Sequence, residues 1–333
     1  MDVLTQGLLG SAVAQAGAKK NDIRIATVIG FVSGLLADAD VLIRSSSDPL
    51  LSIEYHRHFT HSFFFVPFGA LVACLLFYPL LKTRFEFKRL YYYSFLGYLF
   101  SGALDLCTSY GTYWLWPVLN ERLALHIIGI VDLFFTPILL IGVILCFIKS
   151  RQKIIRISLC LCVAYLFLGY MQLQRATEVA KELVTSRGHD GVRVLVKPSP
   201  GTLFLWRSVY EQDNQYFIDA IHVGFKKKIY QGDSIEKYEP ETLLPDLDKE
   251  SVLANDIRRF TKFSDGYISL AKNKSNVIGD MRYAMLPNSL EPLWGITINP
   301  SMPEQHVKYE FYRQADKKRR EEFINMILGR EIN

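Results

Sequence analysis

Ionisable side chains occur inside segments of the chain that are otherwise apolar. In chain order they are Asp38, Asp40, Asp105, His126 and Asp132. A polar run between two apolar segments adds three histidines within six positions, His56, His58 and His61. If the apolar segments cross a membrane, ionisable groups in them are costly, so each of these residues is a functional candidate.

Imidazole nitrogens and carboxylate oxygens together form a ligand set that suits Zn, Mn and Fe. The three histidines and the pair Asp38 and Asp40 provide more ligands than one ion needs. We therefore expect a divalent metal cofactor, Zn first with Mn or Fe as alternatives. Either one ion binds, or two ions bind and share a bridging water.

A simpler structural explanation exists for several of these residues when each is taken alone. Asp38 and Asp40 end an apolar segment and could emerge into water there, and His58 could be a solvated loop residue. Asp105 and Asp132 lie deeper within apolar runs, so that explanation is weaker for them. The whole set favours a functional site.

The apolar residues are concentrated in the first half of the chain. Residues 1–173 contain 24 charged side chains, whereas residues 174–333 contain 47. A bilayer-spanning helix needs about 20 apolar residues. Six segments approach this length, which predicts five or six membrane helices: Val3–Ala18, Ile25–Val41, Ser62–Leu81, Leu90–Cys107, Leu125–Ile148 and Ile157–Leu173.

The distribution of lysine and arginine predicts how these helices are oriented. Three loops carry 11 basic residues, namely 19–24, 82–89 and 149–156, and the alternate loops 44–61 and 108–122 carry 3. Because basic loops stay in the cytoplasm, residues 174–333 are expected outside, in the periplasm of a double-membrane bacterium. The ionisable residues then all lie near the external face. No nucleic-acid partner is expected, because the excess positive charge lies in the apolar half.

These residues resemble the YdjM-like family of bacterial, membrane-bound, metal-dependent hydrolases. The resemblance rests on Asp2-x-x-Thr5-Gln6-Gly7, Ala37-Asp38-Ala39-Asp40, His56-Arg57-x-x-Thr60-His61-Ser62 and Leu104-Asp105. It implies metal-dependent hydrolysis, with Asp38, Asp40, His56, His61 and Asp105 as ligands. Gln6 stands where the family often has histidine, so one ligand is either missing or replaced by an amide oxygen. A looser likeness to zinc-dependent phospholipase C is a fold-level analogy only.

Residues 174–333 show a different pattern, which predicts a soluble α+β domain with a mostly antiparallel sheet. Predicted helices cover 246–263 and 303–328, and alternating segments predict strands at 192–197, 202–210, 216–226, 266–271, 276–283 and 293–298. Arg207 and Arg282 in this domain could bind a phosphate or carboxylate above the metal site. They could equally form ordinary ion pairs.

Two functional hypotheses from different classes follow from these patterns. The first is an inner-membrane metal-dependent hydrolase that acts at the external face on a lipid or lipid-linked ester or phosphoester. Asp132 or His126 would serve as general base or orient a ligand. The second is a non-enzymatic membrane sensor or scaffold whose external domain binds a partner. A transporter is disfavoured because the polar residues lie at one face of the membrane. Zinc proteases with H-E-x-x-H and serine hydrolases with G-x-S-x-G are excluded separately, because both motifs are absent.

Overall fold

The computed structural model describes residues 1–240, 244–272, 274–313 and 316–332. The chain divides into two compact units. The helical unit comprises Met1–Leu42, Tyr55–Met171 and Pro200–Leu203. The sheet unit comprises Ile43–Glu54, Gln172–Ser199 and Phe204–Asn333. The short segment 43–54, which interrupts the helical unit in sequence, therefore packs with the sheet unit.

Helices dominate the described residues up to position 186. They are α1 (Val3–Gly17), α2 (Ile23–Leu36), α3 (Leu51–Tyr55), α4 (Val66–Leu81), α5 (Phe87–Tyr98), α6 (Ser101–Leu106), α7 (Phe135–Lys149) and α8 (Gln152–Ser186). In the part of the chain that the structure describes, three helical segments are long and apolar enough to cross a membrane, Lys20–Leu42, Phe63–Leu81 and Gln152–Ser186. The predicted helical membrane domain is thus confirmed. Its helices differ in length, and among the described residues these three segments reach the length of a membrane span.

Small residues bring the first helices of the helical unit into close contact. A Cβ atom added to Gly97 of α5 would lie 2.7 Å from the Cα of Gly30 in α2, and one added to Gly10 of α1 would clash with the Gly30 carbonyl oxygen. Glycine at such contacts lets the backbones of apolar helices approach closely. These glycine contacts hold α1, α2 and α5 together.

Two of the predicted membrane helices are shorter in the structure than the apolar runs suggested. The run 90–107 is divided into α5 and α6, and the run 125–148 becomes helical only at Phe135. Asp132 defines that start, because its Oδ1 accepts the N–H groups of Phe134 at 2.9 Å and Phe135 at 2.8 Å. Hydrophobicity predicted a continuous helix, but the cap at Asp132 leaves the preceding apolar residues outside α7.

The sheet unit contains two antiparallel sheets within its described residues. The first has the order β1 (Val194–Pro198), β2 (Leu205–Gln212), β3 (Gln215–Val223) and β4 (Lys227–Tyr230), with β5 (Ser234–Glu236) also paired to β3. The second has the order β6 (Ile268–Ala271), β7 (Lys274–Asp280), β8 (Trp294–Thr297) and β9 (Lys308–Phe311). The predicted α+β class with antiparallel sheets is confirmed.

Helices α9 (Val252–Phe263) and α10 (Lys317–Ile327) complete the sheet unit. The prediction of one helix over 303–328 was wrong in its first half, where β9 pairs with β8. The aspartate at position 316 caps α10 by accepting the N–H of Arg319, which sets the start of the helix. The alternating polarity of four residues in β9 was too short to indicate a strand.

Arg259 of α9 holds the segment Ile43–Glu54 inside the sheet unit. Its Nε donates to Glu54 Oε1 at 2.7 Å, and its Nη1 and Nη2 donate to the two carboxylate oxygens of Asp48 at 3.0 and 2.8 Å. Nη1 also donates to Asp256 Oδ1 at 2.9 Å. Such charge-assisted, bidentate contacts are the strong class of hydrogen bond. A single guanidinium therefore anchors a segment that continues directly into the histidine run at 56–61.

Arg259→Ala should release the segment 43–54. Hydrogen–deuterium exchange of the full chain in detergent should show that amides 48–54 lose protection worth about 2 kcal/mol, the contribution of one hydrogen bond to a charged group. Arg258→Ala is the matched control, because Arg258 is an exposed neighbour that donates to the carbonyl of Lys249. Unchanged protection in Arg259→Ala would contradict the anchoring role.

The same anchor should weaken in acid. Burial opposes the ionised form of Asp48, but the hydrogen bonds and charge of Arg259 lower the pKa of its carboxyl below the ordinary value. A carboxyl with a lowered pKa contributes stability above its unfolded pKa and loses it as the pH falls through the folded value. In the natural chain, the hydrogen-exchange protection of amides 48–54 should fall as the pH drops through this acidic range. In Asp48→Asn, the protection of these amides should no longer depend on pH in that range.

Candidate metal centre

Three side chains from separate elements converge at one end of the helical unit. Asp38 lies in the 3-10 turn that follows α2, His61 ends the 3-10 turn at 59–61, and Asp105 lies in α6. His61 Nε2 lies 3.0 Å from Asp105 Oδ2 and 3.3 Å from Asp38 Oδ1. One ligand atom from each residue lies within 4.8 Å of the other two. We call these three residues the metal triad.

The atoms of the metal triad are close together without hydrogen bonds between them. His61 Nε2, Asp105 Oδ2 and Asp38 Oδ2 are buried and have no hydrogen-bond partner among the described residues. The short distances therefore lack hydrogen-bond geometry. Buried polar atoms without a partner are rare and call for an explanation such as a bound ion. One imidazole nitrogen and two carboxylates fit a divalent cation of the Zn, Mn or Fe type.

Asp40 lies behind His61, on the side away from the other two members of the triad. Its fully buried carboxylate lies 3.3 Å from His61 Nδ1 and accepts hydrogen bonds from the Arg57 N–H at 2.7 Å and Thr60 Oγ1 at 3.0 Å. The other oxygen lies 3.0 Å from His56 Nδ1. His61 Nδ1 is hydrogen-bonded to Thr60 Oγ1 at 3.1 Å, so Asp40 and Thr60 together orient the imidazole and leave Nε2 to face Asp38 and Asp105.

Asp40 and His56 are thus not members of the triad, although the sequence predicted both as direct ligands. The prediction could not separate two aspartates that are two positions apart in a 3-10 turn. Only the contact with Nδ1 or Nε2 of the same ring distinguishes their roles.

Two positively charged groups contact Asp105. The Nε of Arg57 lies 3.2 Å from Asp105 Oδ2, and the amino group of Met1 contacts Oδ1. Arg57 also donates to Thr108 Oγ1 at 3.2 Å and to the Met1 carbonyl at 3.1 Å. These contacts balance part of the negative charge that the buried Asp40 and Asp105 and the partly exposed Asp38 bring to the site, which lowers the cost of burying it.

Comparison with protein-family models matches residues 1–176 to the family described as YdjM inner membrane protein. The chain belongs to the YdjM inner membrane protein family. The match contains the whole metal triad together with Asp40, His56 and Arg57, and it confirms the resemblance noted in the sequence. Neither a curated protein nor a solved structure matches the chain significantly.

Asp132 and His126 lie outside the metal triad of this YdjM family member. Both carboxylate oxygens of Asp132 are used, since Oδ1 caps α7 and Oδ2 accepts a hydrogen bond from Tyr165 at 3.0 Å. His126 lies near the end of α6, because the N–H groups of its two neighbours donate to the Leu106 and Cys107 carbonyls. In the structure the carboxylate of Asp132 binds the N–H groups of Phe134 and Phe135 and the hydroxyl of Tyr165, and the catalytic role expected for Asp132 stays a prediction.

The amino-terminal motif supports α1 and its contact with α6. Asp2 caps α1 by accepting the N–H of Thr5 at 3.0 Å and its hydroxyl at 2.5 Å. Gln6 is buried and donates from Nε2 to the carbonyl of Ser101 at 3.2 Å, one helical turn before Asp105. These residues position α6, and none of them belongs to the metal triad.

His58 and Thr60 have packing and positioning roles in the turn that carries His61. The ring of His58 packs against Tyr113, with ring centroids 4.4 Å apart. Tyr98, which the sequence did not indicate, donates to the Thr60 carbonyl at 2.7 Å. A tyrosine within an apolar run was the only available signal for this contact.

Arg207 and Arg282 are engaged within the sheet unit. Arg207 is buried, and its guanidinium donates to the carbonyls of Met281, Pro287 and Ser289. Arg282 Nη2 lies 2.8 Å from Asp280 Oδ2. The guanidinium of each residue therefore joins parts of this unit, as the structural alternative for the pair expects, and anion binding by them stays a prediction.

A second group with metal-ligand residue types occurs in the sheet unit, formed by Asp48, Asp256 and His306. Here the guanidinium of Arg259 already donates to both aspartates. His306 Nδ1 lies 2.8 Å from Asp256 Oδ2. Since these contacts provide the carboxylates with partners, the group is explained as the anchor of segment 43–54.

Substitutions should separate the metal triad from the residues behind it. His61→Ala should abolish stoichiometric metal binding, because it removes the only nitrogen ligand of the triad. Asp40→Asn retains all three ligand atoms and should weaken Zn affinity by about 10- to 100-fold, the usual effect of changing a group that orients a ligand. Metal content and competition with a chromophoric chelator measure both effects in the purified full chain.

His58→Ala is the control for these substitutions, because it changes a histidine of the same turn outside the triad. It should retain the metal content of the natural chain. Full retention of metal by His61→Ala would contradict the assignment of the triad as the metal-binding site. An equally complete loss in Asp40→Asn would place Asp40 among the direct ligands.

Proposed function

We propose that this inner membrane protein is a metal-dependent hydrolase whose site is the metal triad. The observation that supports the proposal is the convergence of one imidazole and two carboxylates, in which His61 Nε2, Asp105 Oδ2 and one oxygen of Asp38 have no hydrogen-bond partner among the described residues. A site built for a purely structural purpose would satisfy these atoms with hydrogen bonds. Zn is the first choice of cofactor, with Mn or Fe as alternatives, and the triad provides ligands for one ion.

The residues of the site have separate tasks in this mechanism. Asp38, His61 and Asp105 would hold the ion, which when bound lowers the pKa of a water ligand and polarises the bond to be cleaved. Asp40 keeps His61 in the orientation that presents Nε2. Arg57 holds Asp105 in place through a contact at 3.2 Å. With three protein ligands, a bound ion would still be able to accept water or substrate.

The position of the triad in the chain favours a lipid or lipid-linked substrate with an ester or phosphoester bond. Asp38 lies near the end of the candidate span Lys20–Leu42, and His61 lies two residues before the span Phe63–Leu81. The side chain of Asp38 is 11% exposed, so the site is accessible on that side. A site at the ends of two apolar helices can receive a head group while the acyl chains remain in the bilayer.

We infer from the loop charges that the triad and the sheet unit face the periplasm. Loops with 11 basic residues alternate with loops that have 3, and basic loops remain cytoplasmic. Alkaline phosphatase, which is active only in the periplasm, should be active when fused after residue 332 and inactive when fused within the loop 82–89. The reverse pattern would overturn this orientation.

A hydrolase assay tests the proposed function directly. The purified full chain in lipid nanodiscs should release product from a panel of ester and phosphoester lipids, lose activity with a chelator, and recover it with Zn, Mn or Fe. Asp38→Asn and His61→Ala should abolish turnover, whereas His58→Ala should preserve it. Absence of metal-dependent turnover across the panel would overturn the proposal.

One observation favours the alternative of a non-enzymatic sensor or scaffold. Arg57 and the Met1 amino group already contact Asp105 and balance its charge without a metal. In that case the triad would be a structural cluster, and the protein would bind no stoichiometric metal. The metal analysis of the natural chain and the lipid panel together distinguish the two functions.

A further inference from the structure

The turn between β3 and β4 presents an aromatic side chain to the surroundings. Phe225 has a relative exposure of 112%, so no other described residue covers it. Lys226, Lys227 and Lys228 follow it directly in the sequence. A large exposed apolar side chain next to a basic run is typical of protein segments that bind the surface of a bilayer.

This turn lies where helix α8 leaves its apolar segment. Gln172 Nε2 donates to the carbonyl of Val223 at 2.9 Å, and Arg175 Nη2 donates to the carbonyl of Gly224 at 3.0 Å. The part of α8 from 157 to 173 is uncharged, and Arg175 is the first charged residue after it. The hydrogen bonds therefore hold Phe225 at the level where a membrane-spanning α8 would meet the head groups.

The rest of the sheet continues along α8 away from this level. Ala176, Val179 and Ala180 of α8 pack against Trp206 and Ile221 in one buried cluster. Lys227 pairs in register with Val223 and lies 3.7 Å from Glu182, which is further along the helix. The turn is thus the end of the β3–β4 hairpin that lies nearest to the apolar part of α8.

The charge of the turn complements an anionic surface. Among the described residues, no carboxylate lies within ion-pair distance of Lys226. The pair of Lys227 with Glu182 is partly exposed, and Lys228 pairs with the strongly exposed Glu331. Lys226 is therefore the basic residue of the turn that is available to lipid head groups, whereas Lys227 and Lys228 pair with carboxylates of the sheet unit.

We propose that the turn Gly224–Lys228 is a membrane-surface contact. Phe225 inserts at the boundary between head groups and acyl chains, and Lys226 binds the phosphates of anionic phospholipids. The sheet unit is thereby attached to the bilayer at a second point beside α8. This proposal does not depend on the hydrolase activity of the metal triad.

Photo-crosslinking in intact inner membranes tests the contact in the full chain. Phe225→p-benzoylphenylalanine keeps an aromatic side chain and reacts with neighbouring C–H bonds. The same replacement at Phe311, an exposed aromatic of β9, is the matched control. Mass spectrometry should find roughly tenfold more lipid adduct at 225 than at 311, in line with the transfer free energy of a phenylalanine side chain.

The basic residues are tested with the same probe in nanodiscs. With phosphatidylglycerol present, Lys226→Gln should reduce the adduct to that lipid by up to roughly fivefold, the effect of one basic residue at an anionic surface. In pure phosphatidylcholine the substitution should have no effect. Equal adduct at 225 and 311, or adducts at 225 to protein alone, would overturn the membrane contact. An unchanged yield in phosphatidylglycerol would overturn the role of Lys226.

Discussion

The contacts of the buried Asp40 carboxylate hold the metal centre together. The carboxylate accepts hydrogen bonds from the Arg57 N–H and the Thr60 hydroxyl and contacts the nearest imidazole nitrogen of both His56 and His61. A buried carboxylate is tolerated only when such partners are present. The end of α2 and the turn 56–61 are therefore joined as one structure, and the direction of the His61 ring follows from it.

Asp105 provides the other constraint on the site, from a helix that is remote in sequence. It lies in α6, which α1 reaches through the hydrogen bond from Gln6 to the Ser101 carbonyl. The close glycine contacts between α1, α2 and α5 make this approach sterically feasible. Apolar packing of small residues thus determines where the carboxylates meet, and it extends to Gly102 of α6, where an added Cβ atom would clash with the His61 carbonyl oxygen.

The metal triad differs from the second group, at Asp48, in how far its polar atoms have partners. In the sheet unit, the guanidinium of Arg259 donates to Asp48 and Asp256, so these carboxylates have partners. At the triad, Arg57 and the Met1 amino group lie on Asp105, while His61 Nε2 and one oxygen of Asp38 have no hydrogen-bond partner among the described residues. The same residue types therefore lead to an ion-pair anchor in one place and to a candidate metal centre in the other.

The class of fold and the residue types of the site could be predicted from the sequence. Apolar runs, the contrast in charge between the two halves, and the motif around His56 and His61 are local properties of the chain, so they could be predicted without coordinates. Hydrophobicity could not show that the apolar run from 125 ends in a cap at Asp132, because that cap depends on hydrogen bonds to Phe134, Phe135 and Tyr165.

The folded chain was needed to show which nitrogen of His61 faces Asp40 and which faces Asp38 and Asp105. It also decided that segment 43–54 belongs to the sheet unit through Arg259, more than 200 residues away in sequence. Residue type and spacing determine local conformation and which chemical groups are present, so these features can be predicted from the sequence. Convergence of side chains from distant elements depends instead on packing between helices, which no local pattern encodes.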